Sequence, residues 1–251
     1  MVFDMRNPLP LVCLLFCTLT PDTARASCVD PNLFAQVPEF QAQQISRINA
    51  LLRFGETHHL CFGVEYVDAA LLTNIADIRI ESGTTIRDAV RLLLGIGQLF
   101  SVEVRGGVIE ISRVASNPHV ENIFDHVLPV FEARRGPLQE TSNVLHMYLV
   151  TDVNPAITGF AGHYFPGDLK DQVGPFREHD RSLRYLLKAI LAQSKGGAWI
   201  SRLAWKQKGD FKIAETRRIW TFVEYGEPST GYAGILSDIA SDLENDAGDL
   251  K

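Results

Sequence analysis

Hydrophobic residues recur at helical spacing in two segments of the chain that lie 97 residues apart. The hydrophobic positions are Ile86, Ala89, Val90 and Leu93 in the first segment and Leu183, Leu186, Leu187 and Ile190 in the second. The spacing i, i+3, i+4, i+7 predicts an amphipathic helix with one buried face in each segment. Thr85 followed by Asp88 predicts a capping box for the first helix, and Ser182 stands at the equivalent place in the second. The constant offset indicates an internal duplication.

Each predicted helix is followed by glycines and then by alternating hydrophobic and polar residues, which is typical of strands. The first predicted hairpin comprises Phe100–Arg105, the turn Gly106-Gly107 and Val108–Ser112; the second comprises Ala198–Trp205 and Arg218–Tyr225. Paired glycines tolerate the positive φ angles of a two-residue hairpin turn. The hairpins therefore extend the duplication beyond the helices.

Another helix is predicted upstream in each half, behind a matching P-x-F-x-A segment. These segments are Pro38–Ala42 and Pro129–Ala133, and the helix faces carry Ile45, Ile48 and Leu52 in the first half and Leu138, Leu145, Tyr148 and Leu149 in the second. The first half has two predicted middle strands, Cys61–Tyr66 and Ile75–Glu81. The second half has one candidate, Ile157–Tyr164, because prolines and glycines in residues 165–180 predict a loop.

Each half thus reads helix, strand, strand, helix, strand, strand. We predict an α+β fold of two tandem units, with helices on one face of mainly antiparallel sheets. The predicted segments are a signal peptide at residues 1–26, a first half at 27–117, a second half and degenerate repeat at 118–225, and an acidic tail at 226–251. Six acidic residues against Lys251 alone favour a solvated tail, although a short docked helix also fits its hydrophobic spacing.

The amino terminus has the pattern of a secretory signal peptide. Arg6 precedes the apolar stretch Leu9–Thr20, and Ala24-Arg25-Ala26 forms an A-x-A site, so we expect cleavage between Ala26 and Ser27. The apolar stretch is too short to cross a membrane as a helix, and the alternative is a helix of the core. The pattern predicts a periplasmic or secreted protein with no membrane span in the mature chain.

Cleavage would leave two of the four cysteines, Cys28 and Cys61, in the mature chain. A pair of cysteines in an oxidising compartment predicts a possible disulfide between them. Spacing alone leaves two alternatives open, a pair of free thiols and a lipid-modified Cys28, although Arg25 departs from the lipoprotein pattern.

Composition excludes some classes of protein and partner. The chain of 251 residues is 46% hydrophobic and 22% charged, which is typical of a globular protein and argues against disorder or a coiled coil. Its formal charge of −6 argues against a nucleic-acid partner, because such domains are usually basic. The predicted partner is another protein of the envelope.

No motif of a known chemistry stands out, so we predict no catalytic, metal-binding or cofactor-binding residue. His58 and His59 are adjacent and would face opposite ways on a strand, and the pairs His119 with His126 and His163 with His179 depend on the fold. No carboxylate pair is set apart by apolar surroundings. The tryptophans Trp199, Trp205 and Trp220 are interpreted as core residues, and the basic residues Lys206, Lys208, Lys212, Arg217 and Arg218 as a solvated loop.

Residues 45–112 resemble the short N-terminal domain shared by secretins and TonB-dependent receptors, the STN domain. The resemblance lies in the helix ending at Leu52, the strand Cys61–Tyr66, the segment Ile78–Leu94 with its G-T-T before the helix, and the hairpin Phe100–Ile111. The whole chain is also similar to exported bacterial proteins of this two-halved form. The resemblance implies a periplasmic module that contacts other proteins.

Two functional hypotheses are consistent with these patterns. The first is an exported, non-enzymatic protein-interaction module of the bacterial envelope, which meets its partner through a sheet edge or a helix face. The second is a periplasmic hydrolase with its site in a cleft between the two halves.

Overall fold

The computed structural model describes residues 28, 31–65, 71, 75–95, 100–113, 120–153, 171–201, 205–207 and 220–225. The described helices are α1 (Arg47–His58), α2 (Ile86–Leu94), α3 (Leu138–Val153) and α4 (Leu183–Gln193), with a 3-10 helix at Ile123–Asp125. The described strands are β1 (Phe40–Ser46), β2 (Cys61–Val64), β3 (Ile75–Ile80), β4 (Phe100–Arg105), β5 (Val108–Arg113), β6 (Val120–Asn122), β7 (Val127–Ala133), β8 (Gly136–Pro137), β9 (Gln172–Val173), β10 (Phe176–Ser182), β11 (Gly197–Ser201), β12 (Trp205–Gln207) and β13 (Trp220–Glu224). The predicted signal peptide, acidic tail and strand 157–164 lie outside the described residues.

A five-stranded sheet in the order β13-β11-β2-β5-β4 forms the centre of the molecule. β2 pairs in parallel with both of its neighbours, whereas the outer strands β4 and β13 pair antiparallel with β5 and β11. The hairpin β4–β5 comes from the first predicted half and the strands β11 and β13 from the second. The two halves therefore share one sheet instead of each building its own.

Each face of this sheet carries the helices of one half. Along β5, Ile109 and Ile111 belong to a core that includes α1 and α2, whereas Val108 belongs to a second core that includes α3 and α4. Alternate strand residues point to opposite faces, so the central strands are buried on both. Two antiparallel ribbons, β1–β3 and β7–β10, complete the first and second cores respectively. The α+β fold class is thus as predicted, with antiparallel pairing dominant.

The two amphipathic segments form helices, as predicted from their spacing. The Thr85 hydroxyl accepts the backbone N–H of Asp88 at the start of α2, and the Ser182 hydroxyl accepts that of Tyr185 at the start of α4. Such caps satisfy backbone donors that have no partner within the helix. The two helices lie on opposite faces of the shared sheet. Leu93 of α2 belongs to the first core and Ile190 of α4 to the second.

The first upstream helix begins later than its hydrophobic spacing indicates. Residues 40–46 form β1, so Ile45 is a strand residue opposite Ala76, and α1 begins at Arg47 behind the N-cap Ser46. The ladder has an irregularity between Ala42 and Ile45, where Gln44 has a φ of 48°. Ile45 was placed on the helix because it stands three residues before Ile48 and seven before Leu52, although the chain becomes helical only from Arg47.

A strand also occupies part of the region predicted as a loop. β10, from Phe176 to Ser182, pairs with β7 and buries Phe176, although Gly174 and Pro175 directly precede it. Proline and glycine mark the start of this strand and do not interrupt it. The prediction of a loop over 165–180 is therefore wrong for its last residues.

Replacing Leu93 or Ile190 by Asp is expected to destabilise the fold by several kcal/mol, because each side chain is fully buried in one of the two cores. Since both cores lie against one sheet, urea unfolding followed by circular dichroism should show one cooperative transition. The matched control is Leu92→Asp, because Leu92 neighbours Leu93 but is 53% exposed. Equal stability of Leu93→Asp and Leu92→Asp would contradict the assigned face of α2.

Candidate functional site

Charged side chains from both halves converge on the α4 face of the central sheet. Glu65 directly follows β2, and its backbone N–H donates to the carbonyl of Ile111 at 2.8 Å. Glu110 points to the opposite face of β5 from its neighbours Ile109 and Ile111, and this face is covered by α4. Arg184 and Lys188 stand one turn apart on that helix, which places them on one face. We call Glu65, Glu110, Asp125, Arg184 and Lys188 the ion cluster.

Arg184 is the centre of the ion cluster. Its Nη1 forms an ion pair with Glu65 and lies 4.0 Å from Oε2 of Glu110. Its Nη2 and Nε donate to Oδ1 of Asp125 at 3.0 and 3.3 Å. One guanidinium of the second half thus contacts two carboxylates of the first half and one of its own.

Glu110 is held by two further cations. Lys188 Nζ lies 3.5 Å from Oε1 and Arg105 Nε lies 3.5 Å from Oε2. Arg105 also donates to Glu103 at 2.6 Å, so the contacts continue from the buried Glu110 to the exposed charges of β4.

Burial shifts the pKa values of Glu110 and Arg184 in the ion cluster. It raises the pKa of the Glu110 carboxyl above its ordinary value, and the nearby Lys188 and Arg105 charges offset this only in part. Burial also lowers the pKa of the Arg184 guanidinium. Desolvation therefore outweighs ion pairing at Glu110, in agreement with its 3% exposed side chain.

The ion cluster corrects the expectation that no carboxylate pair has apolar surroundings. Glu65 and Glu110 are both buried. The signal was present in the segments Phe-Gly-Val-Glu and Val-Ile-Glu-Ile, where an isolated glutamate follows or interrupts a hydrophobic strand. Alternation assigns Glu110 to the face away from Ile109 and Ile111, but only the pairing of the two halves shows that α4 covers that face.

Cys28 and Cys61, the predicted candidates for a disulfide, are joined by one, with their Cα atoms 5.4 Å apart. Cys61 is the first residue of β2 and lies in the core beside α4. The disulfide therefore attaches residue 28 to the central strand of the sheet. The predicted cleavage site, Ala26 and Ser27, lies outside the described residues.

The histidines take places that sequence reasoning did not assign. His58 ends α1 and His59 is its left-handed C-cap, so the expectation that they neighbour on a strand is wrong. Burial lowers the pKa of His58, whose ring lies 4.5 Å from that of Phe54.

The other histidine candidates do not form pairs with one another in the described residues. His126 contacts Asp152 at 2.7 Å, and His179 is an exposed residue of β10, whereas His119 and His163 lie outside the described residues. Within the described ranges, His, Cys, Asp and Glu form no group able to hold a metal ion.

Two of the three tryptophans are core residues, as interpreted. Trp199 is fully buried against Phe124, and the Trp220 indole N–H donates to the Ser142 hydroxyl at 3.1 Å. The side chain of Trp205 and the proposed basic loop, apart from the backbone of Lys206 in β12, lie outside the described part of the chain.

The outer edge of β4 is the second notable feature. The two-residue turn places Arg105 and Val108 in a hydrogen-bonded pair, so alternate residues of β4 direct their backbone groups away from β5. The hydrogen bond from the Glu65 N–H to the Ile111 carbonyl agrees with this alternation. Ile111 lies opposite Val102 and directs its backbone groups toward β2, so Val102 directs its own backbone groups away from β5. The outward residues of β4 are Phe100, Val102 and Val104.

The two edges of the sheet differ in exposure. On β13, Trp220, Phe222, Val223 and Glu224 are all buried. On β4, the side chains of Glu103 and Arg105 are 50% and 51% exposed. Of the two outer strands in the described part of the chain, β4 is therefore the one with exposed charged side chains.

Comparison with known proteins finds no matching family model, curated protein or solved structure. The helices in the described ranges include none long and apolar enough to cross a membrane.

Replacing Arg184 by Met is expected to cost about 3–5 kcal/mol of unfolding free energy, because it leaves Glu65 and Glu110 buried without their shared cation. Arg181→Met is the matched control, since that exposed residue pairs with Glu178 on the surface and should change stability by at most about 1 kcal/mol. Chemical denaturation of both variants measures the difference. Similar losses would show that the ion cluster does not stabilise the fold.

Glu110→Gln is expected to gain stability relative to the unmodified protein as the pH rises. Because the pKa of Glu110 is raised in the fold, protonation of this carboxyl stabilises the folded state. This contribution to stability is complete below the ordinary pKa of 4.5 and is lost as the pH rises through the pKa of the folded state. Urea unfolding between about pH 4 and 8 measures this trend. The exposed Glu81→Gln is the control, and a pH-independent difference for Glu110→Gln would refute the prediction.

Proposed function

We propose that the chain is an exported, non-enzymatic protein-interaction module of the bacterial envelope, periplasmic or secreted, with another envelope protein as partner. The position of β4 as an outer strand of the described sheet, with the exposed side chains of Glu103 and Arg105, is the observation that carries the proposal. A partner would add an extended segment to this edge as a further strand, the mode of recognition called β-augmentation.

Two features support export. The A-x-A site after an apolar stretch is typical of a cleaved signal peptide. The disulfide between Cys28 and Cys61 is typical of oxidising compartments, since thiols stay reduced in the cytosol. The resemblance of residues 45–112 to the STN domain agrees with a periplasmic module and belongs to the same proposal.

The chemistry of β4 defines the partner segment. Phe100 and Val104 pack against the core beside α2, whereas Glu103 and Arg105 are exposed on the other face. An added strand would continue both faces, so it should alternate hydrophobic residues with polar or charged ones. Backbone hydrogen bonds would supply affinity, and this alternation would supply specificity.

The ion cluster supports the same proposal, because it fastens β4. Arg105 bridges the exposed Glu103 and the buried Glu110, which is held in turn by Lys188 of α4. An edge strand fixed in place loses little conformational entropy when a partner strand pairs with it.

The hydrolase alternative has one observation in its favour. Glu110 is a buried carboxyl of raised pKa where the two halves meet, which is a property of general acids. Its oxygens lie beside Lys188 and Arg105, however, so burial within a structural ion-pair network already accounts for this carboxyl. A hydrolase would lose activity in Glu110→Gln and keep it in Val104→Pro, whereas an interaction module would lose its binding in Val104→Pro.

A photo-crosslinking residue in place of Glu103 should capture the partner in periplasmic material, and adding Val104→Pro should abolish the capture. Proline removes the outward N–H of Val104 without breaking a bond to β5, and edge strands tolerate it on that side. Mass spectrometry of the adduct should identify, crosslinked to β4, a peptide whose sequence alternates hydrophobic residues with polar or charged ones.

Val104→Thr is the matched control, because threonine keeps both the N–H and the β-branched shape that suits a strand. Circular dichroism should show that both variants are folded. Capture that survives Val104→Pro would mean that the edge of β4 is not the interaction surface.

A further inference from the structure

The outer face of α2 combines exposed apolar side chains with arginines. Arg87 and Arg91 stand one turn apart on this helix, and Leu92 beside them is 53% exposed. Phe34, which precedes β1, is 68% exposed, and the Cζ atom of Arg87 lies over its ring at 5.0 Å from the ring centre. We call Phe34, Arg87, Arg91 and Leu92 the α2 surface. Its chemistry suits a ligand that is both apolar and anionic.

The arginines of the α2 surface are incompletely neutralised. In the described part of the chain no carboxylate pairs with Arg87, whose guanidinium lies over Phe34 instead. A guanidinium in this position still offers its terminal N–H groups to a carboxylate. Arg91 lies 4.0 Å from Asp88, which already accepts the hydroxyl of Thr85 at 2.8 Å. Both cations can therefore pair with further carboxylates.

The chain itself contains an apolar and anionic segment, the predicted acidic tail of residues 226–251. It carries six acidic residues against Lys251 alone. Its hydrophobic residues recur at near-helical spacing and have aspartates between them, in the order Ile235, Leu236, Asp238, Ile239, Asp242 and Leu243. The tail thus has the composition that complements the α2 surface.

We infer that residues 235–243 of the acidic tail bind the α2 surface. The hydrophobic residues of the tail contact Phe34 and Leu92, and its aspartates pair with Arg87 and Arg91. This contact is separate from the edge of β4, so the inference goes beyond the proposed function and does not depend on it.

The path of the chain favours this face of the sheet. Tyr225, the last described residue, packs against the first core, which includes α2, and its hydroxyl donates to the Leu60 carbonyl at 2.8 Å. Residues 226–234 connect it to the binding segment, and nine extended residues span up to about 30 Å. The sheet from β13 to β4 comprises four strand spacings, about 19 Å. The tail can therefore reach the α2 surface on the face where it begins.

Charge also distinguishes the two faces of the sheet. The helices α1 and α2 carry four arginines against Glu56 and Asp88, whereas α3 carries Glu140 and Asp152 and no lysine or arginine. The two cations of α4 are already held by carboxylates of the ion cluster. An acidic segment is therefore attracted to the side of α2 and repelled from the side of α3.

A photo-crosslinking residue in place of Ile239 in the full chain should identify the surface that the tail binds. We expect an adduct within one chain, with Phe34 or residues 87–95 in the crosslinked peptide found by mass spectrometry. Its yield should not depend on protein concentration, as an intramolecular contact requires. An adduct with the basic loop at residues 206–218, an adduct between two chains, or no adduct would overturn the inference.

Reversing the charges of the α2 surface tests the ion pairs. Arg87→Glu combined with Arg91→Glu should lower the adduct yield roughly tenfold, because two surface ion pairs become repulsive contacts. The matched control is Arg177→Glu combined with Arg181→Glu, which makes the same change of charge on exposed residues of β10 in the second half. This control should keep the full yield, and circular dichroism should show that both chains are folded.

Reversing the charges of the tail as well should restore the contact. Asp238→Arg and Asp242→Arg, added to the chain with the reversed α2 surface, make the two sides complementary again, and the adduct should return. A folded chain in which the adduct does not return, or an equal loss of adduct in the β10 control, would contradict the inferred contact.

Discussion

The pairing of Arg184 with carboxylates of the other half is the constraint around which the rest of the molecule is arranged. Glu65 and Glu110 belong to the first half and are buried only because α4 of the second half covers them. Without a cation, each would be a desolvated charge, so the two halves are held to one relative position. The same contacts continue through Arg105 to β4, which links this outer strand to the interior.

Local elements were predictable from the sequence because their determinants are local. The helical spacing from Ile86 to Leu93, the caps at Thr85 and Ser182, and the glycine turn at residues 106 and 107 each depend on neighbours in the chain. Ile45 was assigned to the helix face although it belongs to β1, because its spacing to Ile48 and Leu52 matches a helical repeat. β10 was missed because proline and glycine signal the end of one element without indicating the type of the next.

The shared sheet and the ion cluster were not predictable in this way, because they depend on contacts between distant segments. Gly63 illustrates the difference. A Cβ atom there would lie 2.5 Å from the ring of Trp199, so this glycine makes room for a tryptophan from the other half. In the sequence Gly63 is only a small residue within a hydrophobic strand. The same holds for Glu110, whose role depends on which helix covers its face.

The unequal edges of the central sheet bear on how many molecules an assembly can contain. On β13 the side chains of Trp220, Phe222, Val223 and Glu224 are buried, whereas on β4 those of Glu103 and Arg105 are 50% and 51% exposed. A sheet that is open on both sides is bifunctional and can grow without limit into a fibre, the hazard of exposed strands. A sheet that can pair on one side only accepts a single further strand, and growth then stops. In the proposed interaction module, the buried side chains of β13 leave β4 as the side for growth, which would limit each molecule to a single added strand.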